Sequence, residues 1–246
     1  MNFLDIFIYI ALALSSFVNI LVPISGSATV TPFLAILTDP HRAIALASFY
    51  FLLSGIIRVY IFRKDIQFKY IKPLLPISLV GATIGALSLV KIDTKPLLLI
   101  LLFFTLYFFY KILKQHFHNR AYTPTNKLAI STTGLLSGFL QGTGLAGSDL
   151  RNNFLYSEGL NLSQVHGTTA IIGSANFLVA TVARLYTKQV VVPDLLPLLY
   201  IIPFTVLGIW IGRKSLLKIN KKYTDWIILS VMAVIIIFLA LKIFRV

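Results

Sequence analysis

Apolar residues in this chain come in runs of membrane-spanning length, and that feature removes most folds from consideration. A stretch of roughly 20 apolar residues covers the roughly 30 Å hydrocarbon core of a bilayer as an α-helix, a form that satisfies every backbone polar group within the segment. Such runs lie at Phe3 to Leu21, Ala43 to Phe62, Tyr70 to Val90, Leu97 to Leu113, Leu128 to Leu140, Val165 to Leu185, Val190 to Ile211 and Trp226 to Phe244, with a shorter one at Thr29 to Leu37. Only 12% of the 246 residues are charged, against 57% hydrophobic, so little is left over for a water-facing domain. The expected fold is an all-α polytopic membrane protein with about eight full spans plus broken or re-entrant half-helices. Its first partner is the lipid bilayer, and its expected place is the cell membrane, as a multi-pass protein.

A net charge of +14 raises the question of nucleic acid, but the basic residues fall in short clusters between apolar runs, not in a stripe. Such clusters anchor loops on the cytoplasmic side. No nucleic-acid partner is expected. The absence of cysteine removes disulfides, thiolate chemistry and thiolate metal sites. Glu158 is the sole glutamate, and His116 and His118 share a loop without carboxylates, so neither a catalytic acid–base pair nor a metal site is expected. No cofactor is expected either, and there is no Gly-x-x-x-x-Gly-Lys-Ser/Thr loop for a nucleotide.

The chain also repeats itself. Arg58 and Tyr60 correspond to Arg184 and Tyr186, and Pro76 followed by Gly81 and Gly85 corresponds to Pro203 followed by Gly208 and Gly212. Lys91-Ile92-Asp93 corresponds to Lys218-Ile219-Asn220, and each half opens on a run of small residues, Ser25 to Thr29 and Gly142 to Ser148. Matches in a constant order mark an internal duplication, a common construction among secondary transporters. The halves are residues 1–114 and 127–246, joined by a polar loop at 115–126. If each small-residue run is a turn between half-helices on one side of the membrane, the repeats are inverted. Three basic clusters, around Arg63, Lys114 and Lys214, then share the cytoplasmic side. Gly81 to Gly85 and Gly208 to Gly212 have the small-xxx-small spacing of close helix packing.

These residues also carry a family resemblance. Gly142-Thr143-Gly144 and Gly167-Thr168-Thr169 in the second half, with Ser25-Gly26-Ser27, Pro32-Phe33-Leu34 and Asp39-Pro40 in the first, resemble the sulfite exporter family (TauE/SafE). The resemblance spans essentially the whole chain and implies transport of sulfite, sulfonates and related small organic anions. Here Leu145 and Ala146 interrupt the family's consecutive glycines, and Arg151 stands where its proline is expected.

Glycine and serine let the backbone leave helical geometry, and a broken helix at membrane depth persists where its freed amides line a cavity or meet a ligand. Half-helix N-termini present unpaired N–H groups to an oxyanion. The expected binding residues are therefore Ser25, Gly26, Ser27 and Thr29 at the first turn, with Gly142, Thr143, Gly144 and Ser148 at the second. Arg151 offers compensating charge, while Asp149 offers a site for a coupling proton or a partner for another helix. The resemblance sets Thr168, Thr169 and Asn176 against the turn. The function expected is a secondary transporter of a small anionic solute by alternating access. A channel or a non-transporting membrane scaffold is the alternative.

Overall fold

The computed structural model describes residues 12, 15–17, 20, 27–90, 92–117, 127–145, 147–215 and 221–245, and all of its regular structure is helical. Residues 12, 15–17 and 20 are helical and precede α1 (Ser27–Leu37). Then follow α2 (Pro40–Ile61), α3 (Phe68–Ser88) and α4 (Thr94–Phe117). After the connection come α5 (Lys127–Gly142), α6 (Ser148–Ser157) and α7 (Leu162–Tyr186). A four-residue α8 (Val192–Leu195) passes through a 3-10 segment (Leu196–Ile201) into α9 (Ile202–Ser215), and α10 (Lys221–Arg245) ends the described chain.

Local chemistry sets these boundaries. Asp39 caps α2 by accepting the amides of His41 and Arg42 at 2.9 and 3.3 Å, with Pro40 as the first helical residue, where no amide is needed. Asn161 and Gln164 form a reciprocal capping box, each bond 3.0 Å, that starts α7. Both helices consequently begin three residues before their apolar runs. Prolines at 193, 197 and 203 remove amide donors from the next pass, which runs part of its length as a 3-10 helix.

Among the described residues, five segments are long and apolar enough to cross a membrane: Pro40–Ile61, Phe68–Ser88, Thr94–Lys111, Leu162–Tyr186 and Val192–Ser215. The first expected run lies mostly outside the described residues. α5 has 16 residues, about 24 Å of helix at 1.5 Å per residue, and α1 and α6 are shorter still at 11 and 10. Large side chains such as Phe103, Tyr110, Phe204, Trp210 and Phe238 point outward, where lipid receives them.

The tightest seam joins α3 to α5. Between helices in lipid there is little hydrophobic gain from association, so contact is won by close backbone approach. Gly81 and Gly85 lie directly on the carbonyls of Leu135 and Phe139, while Gly138 and Gly142 lie on those of Ser78 and Ala82. Spacing of four in both helices makes the two ridges interlock. Gly212 takes a similar role in α9, where an added Cβ would sit 2.8 Å from Ile20. α7 fills the centre, packing on α2, α3, α5 and α6, whereas α10 packs on α4 and α1.

Overpacking a seam of this kind costs about 1–3 kcal/mol. Gly138→Ala is expected to lower thermal stability in detergent by that amount, because its methyl group meets the Ser78 carbonyl. Gly134→Ala, whose methyl group would meet the Ile77 side chain at 3.3 Å, is expected to cost much less. Equal unfolding midpoints for the two variants would contradict the seam.

Candidate functional site

The second small-residue run does break its helix. α5 ends in a Schellman motif: Gly144 has φ +80 and donates to the Gln141 carbonyl at 3.0 Å, while the Leu145 amide reaches the Leu140 carbonyl at 2.8 Å. Glycine at 144 is required by that left-handed backbone, and an added Cβ would also sit 2.5 Å from Ile44. The chain then re-enters a helix at Ser148. Thr31 of α1 donates to the Gly144 carbonyl at 3.1 Å, and Leu145 enters a core shared with Val30, Leu34 and Tyr50. The two short helices and the turn thus meet inside the bundle.

Around this turn lies a buried polar network. Gln141 Oε1 accepts from Asn176 Nδ2 at 2.7 Å and from Arg151 Nη1 at 3.1 Å, and Ser78 Oγ donates to Asn176 Oδ1 at 3.1 Å. The chain of contacts runs from α3 through α7 and α5 to α6. Arg184 donates to the carbonyls of Gly142 and Ala180, at 2.5 and 3.1 Å, and so fastens the end of α5 to α7. Arg151 and Arg184 are 0% and 1% exposed. Among the described residues no carboxylate pairs with either arginine or with Arg58. Charge buried in a membrane costs at least a few kcal/mol, so arginines left without counter-charge mark a candidate site. Asp149 does not supply that charge to Arg151: it pairs with Lys111 of α4 at 3.5 Å.

The expected site residues separate into groups. Ser25 and Gly26 lie outside the described residues; Ser27 is the first residue of α1, and Thr29 sits half-buried in its first turn. Gly142, Thr143 and Gly144 build the turn, although the Thr143 hydroxyl bonds back to the Leu140 carbonyl at 2.8 Å and Gly142 is packed against Ala82. Ser148 and Asp149 open α6, and Arg151 lies one turn further on. Asn176 joins the network, but Thr168 and Thr169 are engaged elsewhere. The Thr168 hydroxyl accepts the Gln67 amide at 3.0 Å, and Thr169 bonds to the Val165 carbonyl at 2.8 Å. His166 is held by the Ile20 carbonyl at 3.0 Å. Gln141, Ser78 and Arg184 are additions to the expected set. The repeat-related placement of Arg58 and Arg184 was a signal for the last of these, and Gln141 opens the polar run.

Apolar helices around a broken helix, with buried arginines near the break, define a polytopic membrane protein. The chain belongs to the sulfite exporter TauE/SafE family, whose family model matches residues 8–239. That membership makes it a membrane transport protein. No curated protein and no solved structure matches it.

Removing the guanidinium from Gly142 orphans a buried carbonyl, a loss of about 1–3 kcal/mol. Arg184→Leu is therefore expected to speed hydrogen exchange at the amides of Gly144 and Leu145 while leaving the middle of α3 protected. Unchanged exchange at the turn would show that Arg184 does not hold it.

Proposed function

We propose that this protein is a secondary carrier for small sulfur oxyanions of the sulfite and sulfonate kind, working by alternating access around the turn at 143–147. The observation that carries the reading is the buried Arg151 beside the broken helix, bonded only to a neutral amide and lacking a carboxylate partner among the described residues. Neutral donors and one or two guanidiniums bind an oxyanion without holding it irreversibly. Family membership supports the same class of cargo.

The carrier consists of inverted halves, 1–114 and 127–246, joined through residues 115–126, of which 115–117 continue α4 and are not the expected loop. The element order supports the duplication: in each half helical residues precede a short helix, α1 or α6, and three long passes follow. α2, α3 and α4 answer to α7, α8–α9 and α10. The eight long apolar runs are then six crossings and two hairpin arms, each half having an odd number of crossings that inverts its successor.

Ion pairs support a rocking motion. Arg42–Asp194 at 2.8 Å, Lys111–Asp149 at 3.5 Å and Asp65–Arg213 at 3.0 Å each join one half to the other. Arg42 and Asp65 flank α2 at its two ends, separated by about the thickness of the hydrocarbon core at 1.5 Å per residue. One pair therefore latches each face of the membrane. Opening a face requires its latch to part.

Sulfite efflux from proteoliposomes is expected to fall at least about tenfold in Arg151→Gln, equivalent to about 1.4 kcal/mol of lost interaction. Wild-type rates in that variant would remove the arginine from the mechanism. The cysteine-free chain also permits a direct test of rocking, with cysteines placed at 42 and 194 in one variant and at 65 and 213 in another. Closing either disulfide is expected to stop flux, and reduction to restore it. Sustained flux through a bridged protein would exclude the motion.

A further inference from the structure

Hydrogen-bond roles in the buried network are fixed by its one donor-only member. A guanidinium cannot accept, so the Gln141 atom 3.1 Å from Arg151 Nη1 has to be the amide oxygen. Asn176 Nδ2 meets that same oxygen at 2.7 Å, and Ser78 Oγ donates to Asn176 Oδ1 at 3.1 Å. The acceptor end of Gln141 is therefore doubly used, while its Nε2, with two N–H groups, lies outside these bonds. Arg151 has a similar surplus. Its Nη1 is spent on Gln141, its Nε is buried with no hydrogen-bond partner, and no bond among the described residues engages its Nη2.

These surplus donors meet at Gly173. That residue is buried in α7, three positions before Asn176 and on the same side of the helix. A Cβ placed there would lie 3.5 Å from Arg151 Nη2 and 3.6 Å from Gln141 Nε2, with no other described atom of the neighbouring helices within 4 Å. Other glycines of the bundle have a different neighbour. Gly81, Gly85, Gly138, Gly142 and Gly147 lie against backbone carbonyls, where a methyl group would clash. Gly173 faces two nitrogen donors across a gap that a methyl group would fill at ordinary contact distance. Packing therefore does not require glycine at 173, and glycine within a helix is costly relative to alanine. An acceptor oxygen seated over the bare Cα could take one N–H from each side chain.

We propose that Gly173 is a specificity-determining residue, the floor of an oxygen subsite whose donors are Arg151 Nη2 and Gln141 Nε2. This rests on the carrier reading above, and it adds Gly173 and the Gln141 amide to the groups that meet the cargo. Because both facing groups donate and the helix backbone closes the floor, the subsite takes a terminal, unsubstituted oxygen. A side chain at 173 competes with that oxygen for the same place.

The test is calorimetric titration of the purified full-length protein in detergent with sodium sulfite, in oxygen-free buffer, with the unfolding midpoint measured in parallel without the anion. Gly173→Ala is expected to keep or raise the midpoint, since its methyl group makes only ordinary contacts in a helix that favours alanine, and to weaken sulfite binding at least about tenfold. Gln141→Glu keeps an oxygen toward Arg151 and Asn176 but exchanges the Nε2 donor for an acceptor, and the same loss is expected. Unchanged sulfite affinity in either variant would overturn the subsite while leaving the carrier reading in place. A midpoint that falls together with the affinity in Gly173→Ala would make 173 a packing position and overturn it too. If the wild-type protein binds no sulfite, both readings fall.

Discussion

Inside a bilayer no water is available to complete a hydrogen bond, so every backbone carbonyl and every charged head in this protein needs a partner made of protein or cargo. Most of the described architecture follows from that demand. The break after α5 is tolerated because a Schellman motif, the Thr143 hydroxyl, Thr31 and Arg184 together take up the groups that the ending helix releases. What those contacts leave without a carboxylate among the described residues is the charge of Arg58, Arg151 and Arg184.

The glycine seam explains how the turn is held at its depth. α5 cannot slide along α3, because the ridge of Gly134, Gly138 and Gly142 meets the backbone of α3 at points set by Gly81 and Gly85. Gly142 therefore has two duties. Its missing side chain admits the Ala82 carbonyl, and its own carbonyl receives Arg184. Packing on one side and a guanidinium on the other hold this residue in place.

Much of the helical architecture was legible from apolar runs, since a membrane span is written in composition alone. The expected Ala43 to Phe62 and Val165 to Leu185 became Pro40–Ile61 and Leu162–Tyr186, the extra residues being polar caps that hydropathy does not register. The polar run after Gly144 concealed α6, a helix whose apolar content is too low to announce it. The 3-10 segment was hidden too, because its cause is a spacing of prolines and not a change in polarity. The helix break at the glycines and the central polar place of Asn176 were readable from type and position. Thr168 and Thr169 were not, because a hydroxyl serves a loop amide or an intrahelical carbonyl as readily as a ligand, and only packing decides which. Gln141 was overlooked because an amide at the end of an apolar run gives no sign of the arginine it will meet.

The grip of Lys242 on the last carbonyls of α1 has a consequence for biogenesis. The partners stand 207, 206 and 204 positions apart in the chain, so the carbonyls of Ala35, Ile36 and Thr38 are made long before the ammonium that completes them. At roughly 5–20 residues per second the interval is on the order of 10 to 40 seconds. Through that time the end of the nascent α1 is without the ammonium that caps it in the finished fold.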